Sequence, residues 1–262
     1  MRLRTLPLSL SGIIVGSALA YFYGVWDTPV FSMAISTTIL FQVLSNLAND
    51  LGDSQKGTDN DQRLGPNRAV QSGTISLSQM KIAVGVVSIL SLLSASFLVF
   101  LSSEFLSPNA IWIYFGLAII SIVAAITYTV GKSAYGYFGL GDLMVFLFFG
   151  VLSVIGVFGL YGESFKGILV FPAFTIGLWS AAVLNLNNMR DIDNDRDSEK
   201  RTLVVFIGAK NARYYHSFLI LFGFLSWLFF IVKLFIYDQN GFLCLALIPS
   251  FWIFRHLRKV FL

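Results

Sequence analysis

The stretch from Ser45 to Gly73 reads SNLANDLGDSQKGTDNDQRLGPNRAVQSG, a polar segment that directly follows a long apolar run. It contains four aspartates, although only 12% of the residues in the chain are charged. A second polar segment, Asn185 to Thr202, reads NLNNMRDIDNDRDSEKRT and also follows an apolar run. Ionisable residues at the end of a membrane helix are costly unless they pair, meet water or bind a ligand. These two segments, here called the first and second Asp blocks, therefore indicate a binding site.

The composition places the chain among polytopic helical membrane proteins. Apolar residues make up 56% of its 262 residues, and phenylalanine occurs 26 times. A helix needs about 20 apolar residues to cross the hydrocarbon core of a bilayer. We therefore predict an all-α fold, a polytopic transmembrane helical bundle. Its eight predicted spans are 6–26, 30–48, 79–102, 109–130, 140–161, 168–188, 214–236 and 241–257.

The distribution of basic residues predicts how the bundle is oriented. With the N-terminus in the cytoplasm, sixteen of the 18 Lys and Arg residues fall on the cytoplasmic side, and the other two are Lys166 and Lys233. This asymmetry follows the positive-inside rule, and it places both Asp blocks in the cytoplasm. Because membrane topology accounts for the net charge of +4, we expect lipid as the surrounding medium and no nucleic-acid partner.

Helical spacing within each Asp block brings polar side chains onto a common face. If the second span continues as a helix, steps of three or four residues connect Asn46, Asn49, Asp50 and Asp53. In the second Asp block, Asp191 and Asp195 are four residues apart and share a face, with Asn187 one turn earlier. The other aspartates are equally well explained as solvated loop residues or helix caps: Asp59, Asp61, Asp193 and Asp197.

The chemistry of these side chains favours a metal-bound anion. Carboxylates gathered in a low dielectric repel one another, and a divalent cation removes that repulsion. Oxygen ligands without nearby His or Cys favour Mg²⁺, which proteins usually hold with one or two carboxylates and substrate phosphates. Lys and Arg in the same segments would neutralise the remaining phosphate charge. The sequence thus predicts a site for a Mg²⁺-bound allylic diphosphate whose isoprenoid tail lies in the bundle.

Three stretches together resemble the UbiA superfamily of intramembrane aromatic prenyltransferases. They read NDLGDSQKGTDNDQRLGPNRAVQSG, YGYFGLGD and NNMRDIDNDRDSEKRTLVV, and the resemblance extends from near Leu3 to the end of the chain. The combined motifs are specific, whereas a DxxxD pattern alone is weak. Within the superfamily they look like the branch that prenylates 1,4-dihydroxy-2-naphthoate in menaquinone synthesis.

The resemblance implies a reaction and a role for individual residues. A polyprenyl diphosphate ionises to an allylic cation, the electron-rich ring of the aromatic acid attacks it, and loss of CO₂ gives demethylmenaquinone. The implied setting is a bacterial-type inner membrane, with the active site facing the cytoplasm. The implied Mg²⁺ ligands, of which the aspartates are also catalytic, are Asn49, Asp50, Asp53, Asp191 and Asp195. The implied substrate-binding residues are Asn46, Asn49, Lys56, Arg63, Arg68, Lys132, Asn187 and Asn188.

Three features depart from the family pattern. Gly57 occupies the position at which the superfamily often has a third aspartate, and Asp59 is the nearest substitute. Lys132 and Ser133 stand where the family usually has Gly-Pro. The family has nine helices, so eight predicted spans indicate a single domain over 1–262 that lacks the last C-terminal helix.

Other functions stay open at the level of the sequence. One alternative is a prenyltransferase of the same family with another acceptor, such as 4-hydroxybenzoate or homogentisate. A phospholipid-type alcohol phosphotransferase would carry a DGxxAR stretch, which this sequence lacks. A membrane transporter with a cytoplasmic metal site belongs to a different class, and transporters prefer polar sites near mid-membrane. For the enzyme, we expect Asp53 and Asp191 to face each other across a cytoplasm-facing cavity that continues as an apolar groove.

Overall fold

The computed structural model describes residues 5–58, 68–238, 246–248 and 250–260, and all regular secondary structure within them is helical. The helices are α1 (Leu6–Phe22), α2 (Thr28–Gln55), α3 (Leu77–Ser102), α4 (Pro108–Thr127), α5 (Gly141–Gly159), α6 (Gly167–Arg190), α7 (Ile192–Asp197), α8 (Leu203–Asp238) and α9 (Ser250–Val260). A short 3-10 turn, Tyr135–Phe138, precedes α5. The middle of α5, Phe146–Gly156, is π-helical. The predicted all-α bundle is confirmed.

Six helices in the described part of the chain are long and apolar enough to cross a membrane, namely α2, α3, α4, α5, α6 and α8. Helix α1 is also apolar but has 17 residues. It ends at Phe22, four residues before the predicted end of the first span, because the chain turns at Gly24 with φ of 74°. The eighth predicted span, 241–257, lies partly outside the described residues.

Helix α2 carries the polar face of the first Asp block. The side chain of Asp27 caps its N-terminus by accepting a 2.8 Å hydrogen bond from the backbone N–H of Val30. The helix then continues for 28 residues to Gln55, beyond the predicted end at residue 48. The helix stops before Gly57, where the backbone φ of 72° lies in the left-handed region that favours glycine. The predicted stripe of asparagines and aspartates is therefore helical throughout.

The second Asp block begins where α6 ends. The helix breaks at Asp191, which has φ of −99° and ψ of 15°, and α7 starts at the next residue. The backbone N–H of Asp195 nevertheless donates to the carbonyl oxygen of Asp191 at 2.8 Å, so the predicted four-residue relationship survives the break. The N–H of Lys200 then bonds to the carbonyl oxygen of Asp195 at 2.7 Å and turns the chain back beside the block.

Small residues allow the helices around the site to approach closely, as in other membrane bundles. A Cβ atom on Gly150 of α5 would lie 2.4 Å from the carbonyl oxygen of Ala173 in α6. A Cβ atom on Gly16 of α1 would lie 2.6 Å from the carbonyl oxygen of Val154 in α5. Helices α1, α5 and α6 thus form one tightly packed wall of the bundle.

The segment between α4 and α5 packs on the end of α2 that carries the first Asp block. The hydroxyl of Thr129 donates to the carbonyl oxygen of Ala48 at 2.9 Å. A Cβ atom on Gly52 would lie 2.5 Å from Thr129, so only glycine permits this approach. This contact brings the following 3-10 turn, with the buried Tyr137, against the first Asp block.

Candidate active site

The two Asp blocks meet in space through a shared lysine. The Lys200 ammonium lies 3.5 Å from Oδ1 of Asp53 and 3.9 Å from Oδ1 of Asp195. Both aspartates are only 3% exposed. A second contact joins the blocks, because the amide of Asn194 donates to the carbonyl oxygen of Thr58 at 3.0 Å. The prediction that these distant segments form one cluster is therefore confirmed.

Tyr137 connects the 3-10 turn to both Asp blocks, and the sequence analysis did not single it out. Its hydroxyl donates to Oδ1 of Asp53 at 2.8 Å, and the hydroxyl of Thr58 lies 2.6 Å away. Its carbonyl oxygen accepts a hydrogen bond from the backbone N–H of Arg201 at 3.2 Å. Burial, and then the charge of Asp53, raise the pKa of the Tyr137 phenol well above its usual range. Tyr137 therefore acts as a neutral hydrogen-bond donor.

Two lysines lie over the ring of Tyr137. The Lys56 ammonium is 3.8 Å from the ring centroid, and the Lys200 ammonium is 5.3 Å from it. Burial lowers the pKa of Lys56; the charge of Asp53 opposes this effect, and the charge of Lys200 adds to it. An anion bound beside this ring would be stabilised by both ammonium groups.

The other two predicted catalytic aspartates are also paired with basic side chains. Asp50 forms a 2.8 Å ion pair with Arg68, and both side chains are largely buried. Asp191 accepts two hydrogen bonds, of 2.8 and 2.6 Å, from the guanidinium of Arg190. Across the cluster, Asp53 is therefore joined to Asp195 through Lys200. The sequence suggested Asp191 in this place, and that prediction is wrong. Because α6 ends at Arg190, the Arg190 side chain pairs with the neighbouring Asp191 instead.

A cavity of about 370 Å³ lies beside the cluster, within the range typical of small-molecule sites. The predicted substrate-binding residues Asn46, Asn49 and Asn187 line it, and most of its other lining residues are apolar or aromatic. The aromatic ones are Phe41, Tyr114, Tyr128, Tyr135, Phe148 and Phe149. The predicted apolar groove is therefore present, and it meets the Asp blocks through their asparagines rather than through their carboxylates.

One of these asparagines has a buried donor that lacks a protein partner. Oδ1 of Asn46 lies 3.4 Å from the amide of Gln42, from which it accepts a hydrogen bond. Its Nδ2 has no hydrogen-bond partner among the described residues. Because buried polar groups are nearly always paired, an unpaired amide in a cavity wall points to a ligand with an acceptor oxygen.

The remaining predicted substrate-binding residues are placed less centrally. Lys132 is exposed in the segment after α4, Asn188 is half-buried, and neither lines the cavity. Arg63, together with Asp59 and Asp61, lies outside the described residues. Sequence reasoning also left out Lys200, although its position within the second Asp block was a usable signal.

The residues fit a magnesium ion that arrives with its diphosphate. Within the described ranges, no group of three or more His, Cys, Asp or Glu side chains is arranged to hold a metal alone. Mg²⁺ usually takes one or two carboxylates and completes its shell with waters and substrate phosphates. The carboxylate and amide oxygens of the two Asp blocks supply such metal ligands, and the basic residues beside them suit the negative charge of the phosphates.

Comparison with known proteins gives consistent results. The model of the UbiA prenyltransferase family matches residues 9–262. The chain is 44% identical over 252 residues to the 1,4-dihydroxy-2-naphthoate octaprenyltransferase of Haemophilus influenzae, an alignment that covers 94% of this chain and 80% of that protein. For the Escherichia coli protein of the same name, identity is 46% over 221 residues, covering 84% and 71%. For that of Mycobacterium tuberculosis, it is 32% over 222 residues, covering 81% and 70%.

Proposed function

The chain belongs to the UbiA prenyltransferase family, and from this premise we propose that it transfers a polyprenyl group from an allylic diphosphate to 1,4-dihydroxy-2-naphthoate. The C–O bond to diphosphate breaks, a C–C bond to the ring forms, and the ring carboxylate leaves as CO₂. The product is demethylmenaquinol, the reduced form of demethylmenaquinone. Support comes from three similar proteins that carry this activity in their names. The structural observation that carries the proposal is the joining of both Asp blocks by Lys200 beside an apolar cavity.

Both Asp blocks would hold the diphosphate with Mg²⁺, through Asp50, Asp53, Asp191 and Asp195 with help from Asn49. When bound, the Mg²⁺ would stabilise the negative charge that develops on the leaving diphosphate. Lys200 and Arg68 pair with the carboxylates in this structure, and we propose that they turn towards the phosphate oxygens when the diphosphate binds. Cations positioned beside the leaving group stabilise the negative charge that develops on it.

The cavity would bind the isoprenoid and the aromatic ring while excluding water from the allylic cation. Tyr128 and Tyr135 line it, and their rings meet edge to face with centroids 5.3 Å apart. The hydroxyl of Tyr135 is fixed by donating to the carbonyl oxygen of Ala124 at 2.8 Å. Aromatic faces attract cations, so these rings suit a site in which a carbocation forms.

We assign the site to the cytoplasmic side of a bacterial-type inner membrane. The helices make the chain an integral membrane protein. The distribution of basic residues supports the orientation, because sixteen of the 18 Lys and Arg fall on the side of the predicted topology that carries the Asp blocks.

Product analysis with purified protein tests the proposal. The protein is incubated with a polyprenyl diphosphate and either 1,4-dihydroxy-2-naphthoate, 4-hydroxybenzoate or homogentisate, with Mg²⁺ or with a chelator. We expect CO₂, diphosphate and a prenylated naphthalenediol from the first acceptor, and no product in chelator. A product from one of the other acceptors alone would support the alternative prenyltransferase. Failure to release diphosphate with any acceptor, together with cation movement in proteoliposomes, would replace the enzyme with a transporter.

A further inference from the structure

Tyr137 contacts the first Asp block through its hydroxyl and ring, and the second through its backbone. We propose that Tyr137 is a positioning residue: its hydroxyl fixes one oxygen of Asp53 so that the other is presented to a metal-bound diphosphate, and its ring holds Lys56 beside that ligand. The inference rests on the proposed function in taking a metal-bound diphosphate as the ligand. It assigns a role to a residue outside the two Asp blocks.

The contacts of Asp53 are divided unevenly between its two oxygens. Oδ1 accepts from the Tyr137 hydroxyl at 2.8 Å and lies 3.5 Å from the Lys200 ammonium. Within the described residues, Oδ2 has no hydrogen-bond or ion-pair partner. A carboxylate that is fixed at one oxygen cannot rotate freely, so Tyr137 determines where the second oxygen is offered to a cation.

A short chain of hydroxyl groups keeps Tyr137 in this orientation. The Tyr137 hydroxyl has one proton and donates it to Asp53, so at 2.6 Å it accepts a hydrogen bond from Thr58. Thr58 is only 2% exposed, and its carbonyl oxygen accepts from the Asn194 amide of the second Asp block. Hydrogen bonds in series polarise one another, so the Thr58 hydroxyl strengthens the bond from Tyr137 to Asp53. The Asn194 amide fixes the backbone of Thr58, so the orientation of Asp53 depends on both Asp blocks.

The ring of Tyr137 performs the second part of the role. Lys56 forms no ion pair among the described residues and instead has its ammonium 3.8 Å from the ring centroid. The aromatic face thus stabilises this charge without an ion pair to Asp53. Among the described residues, Asp53 is left with a single ammonium, that of Lys200, as a charged partner. Lys56 remains near the carboxylate and available to a phosphate.

Two substitutions separate the hydroxyl from the ring. Tyr137→Phe removes the hydroxyl and retains the ring, whereas Tyr137→Leu removes both. Tyr161→Phe is the matched control, because it deletes a buried hydroxyl that donates to Ser17 at 2.9 Å, away from the cavity and from both Asp blocks. Thermal unfolding of every variant reports whether the bundle is retained.

The measurement is a calorimetric titration of the protein in lipid nanodiscs with inorganic diphosphate at a series of Mg²⁺ concentrations. We expect Tyr137→Phe to weaken Mg²⁺-dependent diphosphate binding by roughly tenfold, the effect of losing one hydrogen bond to a charged group. Tyr137→Leu should lose a further factor of about three through the missing cation–π contact. Tyr161→Phe should stay within about twofold of wild type, since the hydrogen bond it removes lies outside the site. Higher Mg²⁺ should restore Tyr137→Phe.

The outcomes separate this inference from the proposed function. Equal binding by Tyr137→Phe and wild type would overturn the positioning role. So would equal losses of binding in Tyr137→Phe and Tyr161→Phe that follow their melting temperatures. Wild-type protein that fails to bind Mg²⁺-diphosphate would contradict both proposals. Wild-type protein that binds it but prenylates no aromatic acid would contradict the proposed function and leave the role of Tyr137 supported by the titration.

Discussion

The ammonium of Lys200 lies 3.5 Å from Oδ1 of Asp53, although 147 residues separate the two in sequence. The same ammonium is 3.9 Å from Asp195, so one cation bridges carboxylates from the two Asp blocks. Both carboxylates are buried, and buried like charges need such a partner. In the proposed enzyme, the metal bound with the diphosphate would neutralise these carboxylates in place of the lysine.

Neutralising one carboxylate in either Asp block should abolish turnover. We expect Asp53→Asn and Asp191→Asn each to lower kcat/KM by at least about a hundredfold, because a neutral amide stabilises neither the metal nor the leaving diphosphate as well. The control is Asp193→Asn, which changes an aspartate of the second Asp block whose side chain is 89% exposed. Steady-state kinetics at several Mg²⁺ concentrations measures the effect. Near-wild-type activity of either variant at ordinary Mg²⁺ would remove that residue from the site.

Removing the bridging cation should make the protein depend on Mg²⁺ for stability. Lys200→Met leaves Asp53 and Asp195 facing each other, and loss of one partner of a buried ion pair costs about 3 kcal/mol. A divalent cation can replace the missing charge. We therefore expect Mg²⁺ to raise the melting temperature of Lys200→Met by more than that of wild type.

The control for the lysine experiment is Lys132→Met, at an exposed position. Its melting temperature should respond to Mg²⁺ as the wild type does. An equal Mg²⁺ response in Lys200→Met and Lys132→Met would show that the two carboxylates do not form a cation site.

Filling the cavity should discriminate against long isoprenoid tails. Ala118 lines the cavity from α4, and the next residue, Ile119, is 51% exposed on the outside of the bundle. We expect Ala118→Phe to lower kcat/KM for a long polyprenyl diphosphate by roughly tenfold, with a smaller effect for a ten-carbon diphosphate, because steric exclusion in apolar pockets has about this size. Ile119→Phe should change neither. Equal losses for both chain lengths in Ala118→Phe would place the tail elsewhere.

Cysteine labelling tests the assigned orientation. With Cys244 replaced by serine, Gln55→Cys and Glu199→Cys introduce thiols at exposed positions within the two Asp blocks. Glu104→Cys introduces one at the exposed turn between α3 and α4. An impermeant thiol reagent should label only the last of these in intact cells, and all three after lysis. Labelling of Gln55→Cys or Glu199→Cys in intact cells contradicts a cytoplasmic site.

The helical part of the site could be predicted because it depends on local spacing. Residues three or four apart share a helix face, and α2 continues as a helix through Asp53. Apolar runs long enough for a bilayer indicated the spans in the same way. The predicted ends of the spans were less accurate, because the turn at Gly24 and the break at Asp191 depend on backbone geometry that composition does not encode.

The contacts that connect the blocks could not be predicted from spacing. Tyr137 looks like an ordinary aromatic residue in a glycine-containing turn, and its role arises from the approach of Thr129 to Gly52. Arg190 was counted only among the basic residues on the cytoplasmic side, yet its guanidinium donates to the carboxylate of Asp191. These contacts form only when distant segments of the chain pack together, so no local sequence pattern indicates them.

A double-substitution cycle on diphosphate binding tests most directly whether the two Asp blocks form one site. Mg²⁺-dependent binding of inorganic diphosphate is measured for wild type, Asp53→Asn, Asp195→Asn and the double variant. If both carboxylates serve one metal-bound diphosphate, the first substitution already disrupts the site, and the double variant should bind only slightly more weakly than either single variant. Carboxylates that contributed to binding independently would instead give additive free energies; with single losses of about tenfold, the double variant would then bind roughly a hundredfold more weakly than wild type, and the account of a single coupled site would be contradicted.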